Sequence, residues 1–307
     1  MKYLIYEGEI EMKSFSIILI LAVLVLTILF SGNIIDASGR VEVIREENFK
    51  LENRGFFSLT NVAGNIEINS WEKEEVRMVA TKSISSWGTN DPNELLTKIK
   101  IEITSQPKNL KIYTRYPITL SWVKNARVDY QLWIPETARV KLESVSGKIQ
   151  IENHLNQTYA KTVSGNIKLS NITGNLEVKT VSGKISAYQI KGEIKANSVS
   201  GNLLFRDSEG YFSSLNTTSG DIEAELAVID EKASGMSFNS VSGDINLYLP
   251  DNTSFDLNIK TVSGKINTKF KVLIESAKRN QLIGEVGTGG LDIKLRTISG
   301  NIYLGKS

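Results

Sequence analysis

The sequence lacks cysteine entirely and contains a single histidine, His154. Without cysteine the chain forms no disulfide, offers no thiolate to a metal, has no cysteine nucleophile and cannot carry a lipoprotein acyl anchor. One histidine excludes a multi-histidine metal centre and argues against most triad chemistry. In the segment ENHLNQT we expect His154 to lie on a solvated turn rather than in a catalytic site.

An excess of charge of one sign is also missing. The chain has 36 lysines and arginines against 34 aspartates and glutamates, which gives a net charge of +2. Since the lysines look spread along the chain, we predict no basic stripe and no nucleic-acid partner. The share of hydrophobic residues, 41%, is that of a folded protein.

A hydrophobic run from Phe15 to Phe30 stands out near the N-terminus, with no charge over sixteen residues. We expect a short tail over residues 1–13 and a transmembrane anchor or signal segment over 14–35. We favour an uncleaved anchor; cleavage after Ala37 and a start at Met12 are the alternatives. Either version puts the rest of the chain on the extracytoplasmic face, attached to the membrane or secreted.

Glycines recur at a fixed spacing in the C-terminal half. Gly147, Gly165, Gly183 and Gly201 are each eighteen residues apart, and further glycines stand midway at nine. The series continues with wider spacing to Gly300. An internal repeat of about this length predicts a solenoid.

Hydrophobic residues alternate with polar ones after each of these glycines, as in IKL, ISA and LLF. This is the pattern of a strand with one buried face, and glycine suits the corner between two strands. We therefore predict an all-β fold with a parallel β-solenoid over residues 136–307, in which two nine-residue units form one coil. Val163, Val181 and Val199, two residues before glycine, are predicted to point inward, and the neighbouring hydroxyls outward. An antiparallel meander is the alternative, but it would not need identical corners.

Residues 36–135 are strand-rich but do not repeat, and we predict an irregular β cap there. Asp91 and Pro92 have the residue types of a helix start, which predicts a short helix through Leu96. A cap is expected because an uncovered solenoid end is a template for unwanted strand addition.

Three passages together resemble a known family. They are GNIEINSW (64–71), VDYQLWIP (128–135) and the repeated TVSG corners, followed by the closing stretch GEVGTGGLDIKLRTISGNIYLG (284–305). The chain resembles, over roughly residues 40–307, the toast-rack or putative-adhesin family of bacterial and archaeal envelopes. The resemblance implies a β-solenoid at or outside the membrane, and it implies no catalytic residues.

Asp221 and Asp244 form the first candidate site, because both directly follow a corner glycine and are predicted to stack. Two close carboxylates suit Ca²⁺, or an acid and a nucleophile acting on a glycan. The structural alternative is that Asn202 and Lys265, in the same column, satisfy the pair without any ligand. Tyr188 and Tyr248 form the second candidate, as outward-facing rings on which a glycan can stack.

These observations predict a non-enzymatic protein of the cell envelope. It would be held by its N-terminal segment and present the solenoid as an adhesion, interaction or sensory surface for a glycan or a protein. We expect no cofactor and no catalytic residue, and the oligomeric state is left open. The alternative is a carbohydrate-binding or carbohydrate-active, lyase-like β-helix, which would use Asp221, Asp244 and Lys265.

Overall fold

The computed structural model describes residues 33–35, 40–85, 91–117 and 126–307. Most of the predicted anchor therefore lies outside the described residues. Its last three residues, Asn33–Ile35, form a short strand that pairs antiparallel with residues 41–43. In the described ranges, no helix combines the length and hydropathy needed to cross a bilayer.

The described chain is mostly β, with a single short helix. The strands are β1 (Asn33–Ile35), β2 (Arg40–Lys50), β3 (Phe56–Ala63), β4 (Ile66–Trp71), β5 (Glu75–Ser85), β6 (Lys100–Gln106), β7 (Asn109–Arg115), β8 (Arg127–Pro135), β9 (Arg139–Ser146), β10 (Ile149–His154), β11 (Thr158–Ser164), β12 (Ile167–Thr173), β13 (Leu176–Ser182), β14 (Ile185–Ser200), β15 (Leu203–Ser219), β16 (Ile222–Ile229), β17 (Gly235–Ser242), β18 (Ile245–Leu249), β19 (Phe255–Lys260), β20 (Ile266–Thr268), β21 (Leu273–Lys278), β22 (Gln281–Val286), β23 (Asp292–Arg296) and β24 (Ile302–Lys306). The helix α1 (Pro92–Lys98) starts where the sequence predicts, with the Asp91 side chain accepting from the Asn93 N–H at 2.9 Å.

Parallel strands stack into two faces, as expected for a solenoid-like fold. The first face runs in the order β8, β4, β10, β12, β14, β15, β16, β18, β24, β20. The second face runs in the order β7, β3, β9, β11, β13, β14, β15, β17, β23, β19. Strands β14 and β15 pass through a corner and contribute one half to each face. In the regular part Ile149, Ile167 and Ile185 are partners, so each coil repeats after eighteen residues.

The order of coils in space differs from the order along the chain at both ends. At one end β7 and β8 are the last parallel strands of their faces, and the earlier strands β3 and β4 lie between them and β9 and β10. The predicted cap over 36–135 thus supplies coils to the same stack, and strand pairing does not change at residue 135. At the other end β23 and β24 lie between β17–β18 and β19–β20. Antiparallel strands complete the ends, namely β5 and β2 beside β8, β6 beside β7, and β22 and β21 beside β19.

The side-chain direction at the glycine corner is the opposite of the one predicted. Val163, Val181 and Val199 point outward and are 40%, 42% and 48% exposed. Thr162 and Thr180, one residue earlier, are buried. The reason is that strand alternation continues up to the corner: Val178 points inward, so Thr180 does as well and Val181 does not. The prediction placed the more hydrophobic side chain inside and did not follow the inward–outward alternation through to the corner.

The inward hydroxyls take the place of the predicted outward hydroxyl ladder. Thr297 Oγ1 donates to the Gly243 carbonyl at 3.0 Å, and Thr261 Oγ1 donates to the Gly300 carbonyl at 3.0 Å. Each such bond satisfies a carbonyl of the neighbouring coil at the corner, where the backbone bends out of the sheet. Thr162, Thr180 and Ser198 hold the same position, but their buried hydroxyls have no partner within the described residues.

Four consecutive coils have a second corner of different design. Asn153, Asn171, Gln189 and Asp207 have φ between 50° and 57°, in the left-handed region. Such a residue shifts the alternation by one, so that Leu169 and Ile172 both point inward although they are three residues apart. Asparagine and aspartate tolerate this conformation better than most residues.

Candidate functional site

The carboxylates of Asp221 and Asp244 lie on neighbouring coils, as predicted, but both take part in a backbone ladder. Asp221 Oδ1 accepts the Asp244 N–H at 2.9 Å, and Asp244 Oδ1 accepts the Asn301 N–H at 2.6 Å. Asn202 Oδ1 accepts the Asp221 N–H in the same way at 3.0 Å. The ladder satisfies the N–H groups that follow Gly220, Gly243 and Gly300, which gives these side chains a structural role independent of any ligand.

Lys265 does not join the two aspartates. The coil of Asn301 lies between Asp244 and Lys265, and Asn301 Oδ1 accepts the Lys265 N–H at 3.0 Å. A lyase-like site needs its acidic and cationic groups to converge on one groove, whereas here they are spread along one column. Across the described ranges, no three or more histidine, aspartate or glutamate side chains gather as a metal site would require.

Tyr188 lies on the outer side of the first face, beside a shallow groove of about 320 Å³. Its side chain is 50% exposed. Ser170 on β12 and Ser186 on β14, two short outward side chains, form the floor. Leu204 and Lys168 complete the walls together with Arg206.

The two cations at this groove are in different electrostatic states. Arg206 is paired with Glu223, whose Oε1 accepts from its Nη2 at 2.6 Å and from its Nε at 3.0 Å. Lys168 is exposed and forms no ion pair with any described residue. The sequence interpretation missed Arg206, although it stands five residues after Gly201 just as Tyr188 stands five after Gly183. Strand pairing places Arg206 directly beside Tyr188.

Tyr248 points outward as predicted, but it is part of an aromatic pair. Its ring lies 5.7 Å from the ring of Tyr303, at an interplanar angle of 56°. Both rings lie over Gly305, where a Cβ atom would come within 2.6 Å of Tyr303 and 2.8 Å of Tyr248. Partial burial, followed by the negative charge of Glu223, raises the pKa of Tyr248. This pair covers the sheet surface at Gly305.

His154 is fully buried, so the predicted solvated turn is wrong. It occupies the inward position that Ile172 holds on the next coil. Its Nε2 lies 2.7 Å from the Ala138 carbonyl and must therefore donate, while Nδ1 lies 2.9 Å from Ser70 Oγ and accepts. Burial lowers its pKa from 6.5 to about 4, and the bond to the carbonyl opposes this only in part. The residue is a neutral core side chain.

No curated protein matches this chain. Crystal structures similar to it include a putative cell adhesion protein from Clostridium sporogenes, at 13% identity and a TM-score of 0.31, covering 86% of this chain and 100% of that one. They also include a putative adhesin from Bacteroides fragilis, at 12% identity and a TM-score of 0.48, covering 86% and 97%.

A putative lipid binding protein from Parabacteroides distasonis is similar at 13% identity and a TM-score of 0.34, covering 86% of this chain and 96% of that one. At such scores these likenesses carry no argument about a ligand. The family described as Toastrack DUF4097 matches residues 56–305, which begin at β3 and end within β24. The chain therefore belongs to the Toastrack DUF4097 family.

Proposed function

We propose that this chain is a non-enzymatic protein of the cell envelope that binds an envelope saccharide on the first face of its stack. The observation that carries the proposal is the groove beside Tyr188, where a half-exposed ring stands over a floor of two serines. An aromatic ring offers a flat apolar platform to the C–H face of a sugar. The serine hydroxyls donate to and accept from sugar hydroxyls.

The charges at the groove favour an acidic sugar. Lys168 has no ion-pair partner in the described part of the chain, while Arg206 already neutralises Glu223. A carboxylate or sulfate on the saccharide would give Lys168 a partner at the rim, where the charged head stays in water. Such an exposed pair contributes little free energy but helps to orient the ligand.

The stack gives the groove a rigid base, and the N-terminal segment gives it a location. Residues 15–30 are apolar enough to hold the chain at a membrane, with the stack on the extracytoplasmic side. Adhesion and sensing would both use the same groove. Protease added to intact cells should cut the stack, and cutting only after lysis would contradict this location.

The binding test uses the full chain with a panel of neutral and acidic envelope saccharides. We expect Tyr188→Ala to weaken binding of an acidic saccharide by about tenfold, the upper range for the loss of one stacking contact, and Tyr188→Phe to retain most of it. Tyr113→Ala is the matched control, because Tyr113 is a 45% exposed tyrosine on the second face. Equal losses in Tyr188→Ala and Tyr113→Ala would contradict the groove as the site. Shortening of a saccharide during incubation with Ca²⁺ would contradict the non-enzymatic role.

A further inference from the structure

The far end of the stack, around β19 to β23, is strongly basic. Residues 260–296 contain eight lysines and arginines but only three acidic residues, although the whole chain carries a net charge of only +2. Among these eight cations, only Lys294 has an ion-pair partner in the described part of the chain, the neighbouring Asp292. The sequence interpretation overlooked this concentration because it considered the chain average.

Two of these cations lie side by side on the outside of the second face. Lys260 on β19 is the register partner of Arg296 on β23, so their Cα atoms are about 4.8 Å apart. Asn239 on β17 and Gln281 on β22 extend the same row on either side. Both cations are exposed, and like charges placed directly opposite each other destabilise a sheet.

Acidic groups on the same strands are too distant to neutralise this pair. Asp256 and Asp292 stand four residues earlier on their strands, about 13 Å away. Asp292 is already paired with Lys294, and Asp256 Oδ2 accepts the Gly290 N–H at 3.1 Å. Neither Lys260 nor Arg296 therefore has a carboxylate partner among the described residues.

The pair borders a surface cavity of about 400 Å³. The amides of Asn239, Asn258 and Gln281 line it together with the two cations. Its other wall is apolar, because Val241, Ile298 and Val262 are 43%, 50% and 60% exposed at the glycine corners. The site thus combines several amides, an aliphatic wall and two cations that have no ion-pair partner among the described residues.

We propose that Lys260 and Arg296 form a binding site for a phosphate group. A guanidinium and an ammonium about one strand apart give one phosphate several charge-assisted hydrogen bonds, and the amides of Asn258 and Gln281 donate to its remaining oxygens. The Asn239 amide contributes to the lining only, because its two N–H groups already donate to Asn216 Oδ1 and Ser237 Oγ. The aliphatic wall suits the carbon chain to which a phosphodiester is attached. The phosphate source is either a soluble phosphate ester or a lipid headgroup. The site is separate from the Tyr188 groove, which lies on the other face.

The first experiment is calorimetric titration of the full chain with inorganic phosphate at low salt. We expect saturable binding, and we expect Lys260→Gln and Arg296→Gln each to weaken it by about tenfold. The control is the double variant Lys269→Gln/Lys271→Gln, which removes two exposed cations from the same end but outside the cavity. It should change binding less than about twofold, because only long-range attraction is lost. All replaced side chains are exposed, so we expect unchanged circular dichroism and no fall in melting temperature, with a small rise where Lys260→Gln or Arg296→Gln relieves the like-charge pair.

The second experiment separates the two sources of phosphate. Vesicles of phosphatidylglycerol and of phosphatidylcholine are offered to the wild type and to Arg296→Gln. Binding of phosphatidylglycerol vesicles that falls in Arg296→Gln identifies a lipid headgroup, and binding of inorganic phosphate without vesicle binding identifies a soluble ester. Absence of saturable phosphate binding by the wild type, or an equal loss in the Lys269→Gln/Lys271→Gln control, would overturn the proposal.

Discussion

Acidification towards pH 4 should destabilise the protein through His154, the only histidine in the chain. The imidazole is fully buried between two fixed partners, the Ala138 carbonyl and the Ser70 hydroxyl. A proton added at Nδ1 would remove the acceptor that Ser70 uses. It would also place a positive charge in an apolar interior, next to inward isoleucines of the following coils, where no acidic group of the described residues contributes to its pKa.

The magnitude follows from the two pKa values. Burial lowers the pKa of His154 from 6.5 to about 4 in the folded state. Between these values the unfolded chain binds a proton that the folded chain does not, so the free energy of unfolding decreases as the pH falls. The contribution is fully present above pH 6.5, is lost progressively down to about pH 4, and amounts to about 3 kcal/mol.

Two measurements check this prediction. In one-dimensional NMR the ring protons of a single histidine are readily assigned, and their titration in the folded protein should have a midpoint near pH 4. Denaturant unfolding at a series of pH values gives the loss of stability. The control His154→Ile carries the residue that the next coils have at this position, Ile172 and Ile190. Carboxylates also titrate in this range, so the difference between wild type and variant is the quantity of interest.

A folded-state midpoint between pH 6 and 7 would refute the reasoning, since it would mean that the imidazole reaches water or an acidic group. The same conclusion would follow if His154→Ile lost stability with falling pH as steeply as the wild type. The variant is expected to be less stable at neutral pH, because the Ser70 and Ala138 groups lose a partner.

The glycine corner gives the remaining predictions, all measured by denaturant unfolding. Thr180→Val should raise the free energy of unfolding by about 1 kcal/mol, because a buried hydroxyl without a partner among the described residues is replaced by an isosteric apolar group; a loss above about 1 kcal/mol would contradict this. Val181→Asp should lower the free energy of unfolding by less than about 1 kcal/mol, since the side chain is 42% exposed. Thr180→Asp should lower it by about 3 kcal/mol or more, because the new charge is buried. Equal losses would show that the valine points inward. Gly183→Ala should lower the free energy of unfolding by about 3 kcal/mol or more, because the added Cβ would lie 2.0 Å from the Gly165 carbonyl oxygen at a φ of 148°. A mild effect would mean that the coils are further apart.

The repeat in the sequence was sufficient to predict the central part of the fold. The eighteen-residue spacing of Gly147, Gly165 and Gly183 reappears as the parallel register of the coils. The alternation after each glycine correctly identified the inward residues, such as Ile167 and Leu169. This worked because a stack places equivalent residues above one another, so any local rule is repeated in every coil.

At the glycine corner, the inward or outward direction of a side chain depended less on its residue type than on the inward–outward alternation along the strand. Hydrophobicity favoured an inward Val181, but the alternation from Val178 made Thr180 the inward residue. At Asn171 the backbone itself changes the alternation: its left-handed conformation shifts the pattern by one residue, so that Ile172 points inward. No residue type reveals such a shift unless the backbone conformation is known. The prediction for His154 was wrong for the same reason. His154 directly follows the left-handed residue Asn153, so its side chain points inward at the position that Ile172 holds on the next coil.

The candidate sites depended on which coils became neighbours. The sequence spacing placed Tyr188 on the outer surface, but only strand pairing brought Arg206 and Lys168 around it. The pairing of Lys260 with Arg296 could not be predicted, because the coil of Gly300 lies between those of Gly243 and Gly264. All three corners are chemically alike, with a hydroxyl three residues before the glycine and a hydrophobic residue two after it. Local chemistry therefore determined that each segment forms a coil, while the order of coils at this end was decided only by packing in the tertiary structure.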